Sequence, residues 1–207
     1  MKVKVCGMRD VESIRETAKL PIDWMGFIFY NKSPRFAKNL PAEVLHRLPR
    51  HIKRVGVFVD ASLNEILEKA GFYKLNTIQL HGTETPEVCH ELKQAGLEVI
   101  KAFPIAEEQD FEACNKYEGC CNYFLFDTKT AQHGGSGKRF DWHLLDFYTG
   151  NTPFLLSGGI DDECAGEIKN ISHKMLAGVD INSRFEIAPG VKDSARINQF
   201  IQKLKEK

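Results

Sequence analysis

Two residues in this chain have the side-chain type and the placement for proton transfer. Cys6 closes a short β-rich run at residues 3–6 and is followed by Gly7, and Asp127 closes another at residues 123–127. If those runs are strands of a parallel α/β fold, both residues stand at the end where loops build active sites. A thiol of ordinary pKa, about 8.5, is only a few per cent ionised at neutral pH. Cys6 therefore serves as a base only with help from a neighbour or from a readily deprotonated substrate. Lys4, two residues back and so on the same side of a strand, is the nearest cation. The alternative for Cys6 is a packed, small apolar side chain. A carboxylate ending an apolar strand is costly unless it caps a helix, pairs with a cation or does chemistry. No helix pattern follows Asp127 until about Asp141, which weighs against capping. To donate a proton near neutrality Asp127 needs a pKa well above about 3.9, and burial and a nearby thiolate both push that way. The two groups would then titrate as a coupled pair.

Other polar groups end other runs. His81 follows the run at 77–80, and a lone histidine there is given a supporting, substrate-binding role. Ser157-Gly158-Gly159-Ile160 follows the seventh run, and Asp180-Ile181-Asn182-Ser183-Arg184 closes the eighth. Loops after strands seven and eight of a (βα)8 barrel commonly hold a phosphate through backbone amides. Gly158, Gly159, Asn182 and Ser183 are accordingly read as phosphate-binding, with Asp180 as a substrate contact; a mere tight turn at the two glycines is the alternative. Gly134-Gly135-Ser136-Gly137-Lys138 is not a P-loop, because Gln132 stands where the first glycine belongs and Arg139 where Ser or Thr belongs. A lid over a barrel mouth suits it better.

The elements that must position these groups alternate along the chain. β-rich runs fall at residues 3–6, 24–29, 54–59, 77–80, 98–103, 123–127, 154–157 and 176–181, several of them apolar on both faces. Helix signals lie between them. Ser62 begins a capping-box pattern with Glu65, Gly71 reads as a helix stop, Thr85-Pro86 as N-cap and N1, and Gly96 as the next stop. Asp161 is expected to cap a helix through Ile171, and Asp193 the final one. Eight such repeats predict a single (βα)8 TIM-barrel domain over residues 1–207, near the short limit of about 200 residues for that fold. The longest polar loops follow the second and sixth runs.

Composition narrows the function. Lys+Arg and Asp+Glu balance at 28 each, so no overall field draws the chain to nucleic acid or an acidic membrane. One local site is enough to bind a phosphorylated small molecule. No apolar run has transmembrane length, no secretory signal is seen, and the six cysteines contain no C-x-x-C pair. Reduced thiols in the cytoplasm are the expectation. A monomer is the default, with a homodimer as the alternative.

Ten segments in order resemble the phosphoribosylanthranilate isomerase family. They are Lys4-Val5-Cys6-Gly7, Gly26-Phe27-Ile28-Phe29, Ser33-Pro34-Arg35, Gly56-Val57-Phe58-Val59, Gln79-Leu80-His81-Gly82, Phe126-Asp127, Gly134-Gly135-Ser136-Gly137, Phe140-Asp141-Trp142, Leu156-Ser157-Gly158-Gly159-Ile160 and Pro189-Gly190-Val191-Lys192-Asp193. The resemblance implies an Amadori rearrangement in tryptophan biosynthesis, with Cys6 as base, Asp127 as acid, Arg35 on the anthranilate carboxylate, and neither cofactor nor metal. After the eighth run Asn182-Ser183-Arg184-Phe185 replaces the family's usual serine-glycine turn, so Arg184 offers a cation for the phosphate instead. Two related phosphate-binding barrels fit less well. An indoleglycerol-phosphate synthase needs an N-terminal extension and catalytic lysines, and a ribulose-phosphate epimerase needs metal-binding histidines and aspartates. A non-catalytic sugar-phosphate sensor has no use for an acid–base pair.

Overall fold

The computed structural model describes residues 1–129 and 139–206. Eight parallel strands close into a barrel: β1 (Lys2–Val5), β2 (Trp24–Ile28), β3 (Lys53–Phe58), β4 (Thr77–Leu80), β5 (Glu98–Ile105), β6 (Tyr123–Thr128), β7 (Phe154–Leu156) and β8 (Leu176–Ile181). Each pairs with the next, and β1 returns to β8 with Lys2 opposite Gly178 and Val5 opposite Ile181. The TIM barrel read from eight apolar runs is thus the observed architecture, and strand boundaries shift from the expected ones by no more than two residues at either end.

Alternation along each strand sorts side chains into two cores. Inside the barrel lie Val55, Val57, Ile100, Ala102, Leu125 and Leu155, with Trp24 below and Cys6 above. Outside it, Phe27, Phe58, Phe124, Phe126 and Phe154 pack against the surrounding helices. The end of the barrel away from the loops of interest is closed by polar contacts. Glu98 accepts from Trp24 Nε1 at 3.0 Å, Lys53 Nζ at 2.5 Å and Thr77 Oγ1 at 3.1 Å, while Lys2 Nζ donates to the Tyr123 hydroxyl at 2.7 Å.

The helices are α1 (Val11–Thr17), α2 (Ala42–His46), α3 (Leu63–Tyr73), α4 (Pro86–Gln94), α5 (Ala165–Asn170) and α6 (Ser194–Lys205). Ser62 caps α3 through the Glu65 amide and Asp193 caps α6 through the Arg196 amide. Three local expectations are corrected. Gly71 lies inside α3, which runs on to Tyr73 because that ring is buried and its hydroxyl donates to Leu40 O; the left-handed stop is Lys74. Asp161 does not begin α5. Its carboxylate accepts from the Glu163 amide and the Cys164 thiol, forming an isolated turn, and the helix starts at Ala165. The connections after β5 and β6 are 3-10 segments, Glu108–Tyr117 and Trp142–Phe147, rather than α-helices. An antiparallel pair, β9 (Glu186–Ala188) and β10 (Val191–Lys192), follows β8 and had no signal in the sequence, since each strand is too short to show a period.

Candidate active site

The inner faces of three strands carry the site. β1 presents Lys2, Lys4 and then Cys6; β4 presents Thr77, Gln79 and then His81; β6 presents Tyr123, Leu125 and Asp127. Cys6 is 4% exposed, and its amide donates to Ile181 O at 2.9 Å, fixing the residue beside β8. Its sulfur lies against Gly26, where an added Cβ would come within 2.8 Å of Sγ and 3.3 Å of Lys4 Nζ. Lys4, wholly buried, donates to Asp180 Oδ1 at 2.8 Å and acts electrostatically on the sulfur. Burial pushes the Cys6 thiol up, Lys4 and Lys192 pull it down, and Asp180 pushes it up again; the net displacement is upward. The help expected from Lys4 is present but burial outweighs it. Burial would strip Lys4 of its proton, yet Asp180 and Cys6 hold its pKa above the ordinary lysine value. Asp180 is itself raised, by burial first, against the pull of Lys4, with Asp127 pushing it up and His81 pulling it down. The Lys4–Asp180 pair therefore links electrostatically to the second proton-transfer candidate.

That second group is assembled from β4, β6 and the turn after β7. Asp127 Oδ1 accepts from the Thr128 amide at 2.8 Å, and Oδ2 lies 3.5 Å from His81 Nε2. Gln79 Nε2 contacts His81 Nδ1 at 2.9 Å, so with the amide as donor the ring proton sits on Nε2, facing Asp127. Gly158 takes φ +86°, and a Cβ there would stand 2.7 Å from the Thr128 amide and 2.9 Å from Asp127 Oδ1. Gly158 and Gly159 (φ +66°) thus form a left-handed turn packed directly on the carboxylate, a conformation glycine adopts without penalty. The β4 loop bearing His81 is pinned from beneath. Lys101 Nζ donates to Gly82 O at 2.7 Å and pairs with Glu84, whose carboxylate accepts from the Gly82 and Asp60 amides.

A third cluster lies between the loops after β1, β2 and β8. Arg35 is held by its own turn, its amide donating to Ser33 Oγ, while Phe36 bridges to Ile28. Its Nε and Nη2 form a bidentate pair with Glu186 at 2.7–3.0 Å. Lys192 Nζ bonds Glu186 Oε1 at 2.7 Å, Asn182 Oδ1 at 2.7 Å and Asn182 O at 3.2 Å. Burial brings Lys192 down to about 8 against the opposing pull of Glu186. Ser183 begins a short 3-10 turn, Ser183–Phe185, and Asn182 precedes it with both its oxygens committed to Lys192. Arg184 is exposed, its carbonyl accepting from Arg196. Sequence reasoning singled out Cys6, Arg35, His81, Asp127, Asp180, Gly158, Gly159, Asn182 and Ser183. It missed Glu186, Lys101 and Glu84 as members of the site, and took Gln79 and Lys192 only as parts of motifs. Among the described residues no group of three His, Cys, Asp or Glu is arranged to hold a metal. Gly134-Gly135-Ser136-Gly137, read as a lid, lies outside the described residues.

Comparison with known proteins covers the whole length. Residues 3–203 match the family model described as N-(5'phosphoribosyl)anthranilate (PRA) isomerase. The chain is 52% identical to the N-(5'-phosphoribosyl)anthranilate isomerase of Parabacteroides distasonis, over 99% of this chain and 93% of that one. It is similar to the crystal structure of phosphoribosyl anthranilate isomerase from Thermotoga maritima, at TM-score 0.87 and 35% identity, covering 99% and 98% of the two chains. A further similar structure, at TM-score 0.84 and 31% identity with the same coverage, is a phosphoribosyl anthranilate isomerase in complex with reduced 1-(o-carboxyphenylamino)-1-deoxyribulose 5-phosphate.

Proposed function

The chain belongs to the N-(5'-phosphoribosyl)anthranilate isomerase family, an enzyme family of tryptophan biosynthesis, and we propose that Cys6 and Asp127 carry its reaction at this barrel mouth. The reaction is the Amadori rearrangement of N-(5-phosphoribosyl)anthranilate to 1-(2-carboxyphenylamino)-1-deoxyribulose 5-phosphate. Asp127 gives its proton to the ring oxygen as the C1′–O bond breaks, and the anilino nitrogen lone pair forms the iminium at C1′. The iminium acidifies C2′, whose proton passes to the Cys6 thiolate. The resulting enolamine becomes the ketone when C1′ gains a proton and the C2′ hydroxyl loses one. A positioned acid and base each typically contribute about 10²–10⁴-fold. Arg35 takes the anthranilate carboxylate, as a guanidinium can with two parallel bonds. The turns at Gly158-Gly159 and Asn182-Ser183 receive the phosphate; His81 and Asp180 contact the substrate.

One arrangement supports the reading above the others: Cys6 follows β1 and Asp127 stands at the end of β6 on the inner face of one closed barrel, with Asp180 of β8 bonded to Lys4, so a single sugar at that mouth has a base on one side and an acid on the other. The thiol's upward displacement leaves little thiolate at rest, so the step draws on the acidity that the iminium gives C2′. We infer that the working unit is a monomer in the cytoplasm, binding neither nucleic acid nor membrane. Phe72, Phe147, Ile187 and Leu67 are exposed from three separate parts of the fold rather than as one continuous run of chain. All six cysteines are free thiols, and among the described residues no helix is long and apolar enough to cross a membrane. The test is the loss of anthranilate fluorescence on adding pure protein to the substrate. Cys6→Ala and Asp127→Asn should each cut turnover by about 10²-fold or more while the circular dichroism stays unchanged. A near-normal rate in either variant removes that residue from the mechanism.

A further inference from the structure

Lys192 belongs to no step of the reaction as derived, yet it is one of the most deeply buried cations in the molecule, its side chain having no exposed surface. Burying an ammonium is expensive unless several oxygens replace its water. Here three do, and they belong to two different functional elements: Glu186 Oε1 on β9, and the side-chain and backbone oxygens of Asn182 after β8. Glu186 spends its carboxylate on Arg35 Nε and Nη2 and on the Gly190 amide at 3.1 Å. That pairing occupies one edge of the guanidinium, and Nη1 has no partner among the described residues, so the outer edge remains for a ligand carboxylate. Arg35 and Asn182 then meet at Gly7, where an added Cβ would lie 2.6 Å from Arg35 Cδ and 2.6 Å from Asn182 Oδ1.

We propose that Lys192 is a positioning residue that locks the carboxylate-binding arginine and the phosphate-side turn to one another, setting the distance between the two anionic ends of the substrate. The proposal rests on the functional reading above. A cation at this point ties Arg35, through Glu186, and Asn182 directly to the same nitrogen. Lys192 acts through Asn182 and Glu186, to which its ammonium is bonded, and the cost of misplacing them falls on binding in the ground state and the transition state alike. Such a loss raises KM more than it lowers kcat.

The experiment uses Lys192→Met, Lys192→Arg and Glu186→Gln in the full chain. Steady-state kinetics are measured with N-(5-phosphoribosyl)anthranilate, and inhibition with two half-ligands, anthranilate and ribose 5-phosphate. Lys192→Met should raise KM about tenfold or more, by a larger factor than it lowers kcat, and should weaken both half-ligands. Lys192→Arg should recover part of the KM loss. Glu186→Gln, which keeps the hairpin but loosens Arg35, should weaken anthranilate and leave ribose 5-phosphate unchanged. It also decides the matter if Lys192→Met does not fold: equal weakening of both half-ligands, or of neither, overturns the proposal. A folded Lys192→Met enzyme with parental KM and parental inhibition by both half-ligands overturns it as well, however much its melting temperature falls. Failure of the functional reading has a different signature, since the unmutated protein would then not turn over the substrate at all.

Discussion

Gly26 leaves no room for a methyl group beside the Cys6 sulfur and the Lys4 ammonium. Gly26→Ala should therefore displace the sulfur while leaving the barrel folded, and we expect kcat to fall about 10–100-fold, since small misplacements of a reacting group have large effects. Steady-state rates together with a thermal melt check this; a fall in melting temperature with kcat intact would contradict it. Asp180 tests the electrostatics. It raises the Cys6 thiol and neutralises the lysine that lowers it, so Asp180→Asn should move the base limb of kcat/KM to lower pH. The position of that limb is informative even if the amplitude drops. Glu186 tests linkage to stability. Burial raises its pKa, but Arg35 and Lys192 win and hold it below the ordinary 4.5. A carboxylate depressed in the folded state contributes stability above its unfolded value and loses it as pH falls through the folded one. The melting-temperature gap between parent and Glu186→Gln should accordingly be largest above about pH 4.5 and close below it. At this scale the sequence exposed the residues that end strands, because position in the run betrayed them. Glu186 gave no such sign, since it acts on Arg35 far away in the chain, and Lys101 stands in the middle of a run rather than at its end.

Among elements, the strands place the proposed acid–base pair at one end and a cluster of polar contacts at the other. Glu98 opens β5 and gathers Trp24, Lys53 and Thr77 at the end remote from Cys6. Glu98→Ala should cost about 1–3 kcal/mol in urea unfolding, as expected for hydrogen bonds to a charged group, with kcat/KM unchanged. A changed rate would mean that the two ends are coupled. Strands were legible because parallel strands buried on both faces leave dense apolar runs such as Phe124-Leu125-Phe126. Helix ends were legible where a cap is made by a side chain, as at Ser62 and Asp193, and misread where tertiary packing decides, as at Gly71, where burial of Tyr73 extends α3. The β9–β10 hairpin was invisible although it supplies both Glu186 and Lys192. Two or three residues per strand cannot display a period of two, and Pro189-Gly190 alone marks only a turn.

For the molecule as a whole, equal numbers of acidic and basic residues give no long-range field, and the exposed aromatic side chains Phe72 and Phe147 stand on different elements. Sedimentation velocity should return a single species whose mass is that of one chain at all concentrations tested; a mass that doubles with concentration would reject the monomer. The closure of the barrel has a consequence for synthesis. Among the described residues β1 finds its second neighbour in β8, and Lys4 its counter-ion in Asp180. A chain still attached to the ribosome, with about its last thirty residues unmade, already holds Cys6 and Asp127 but leaves the Lys4 ammonium with no anion beside it. Catalytic competence thus arrives late and all at once, with the segment that also brings Glu186 and Lys192, so incomplete translation products should be inert rather than partly active.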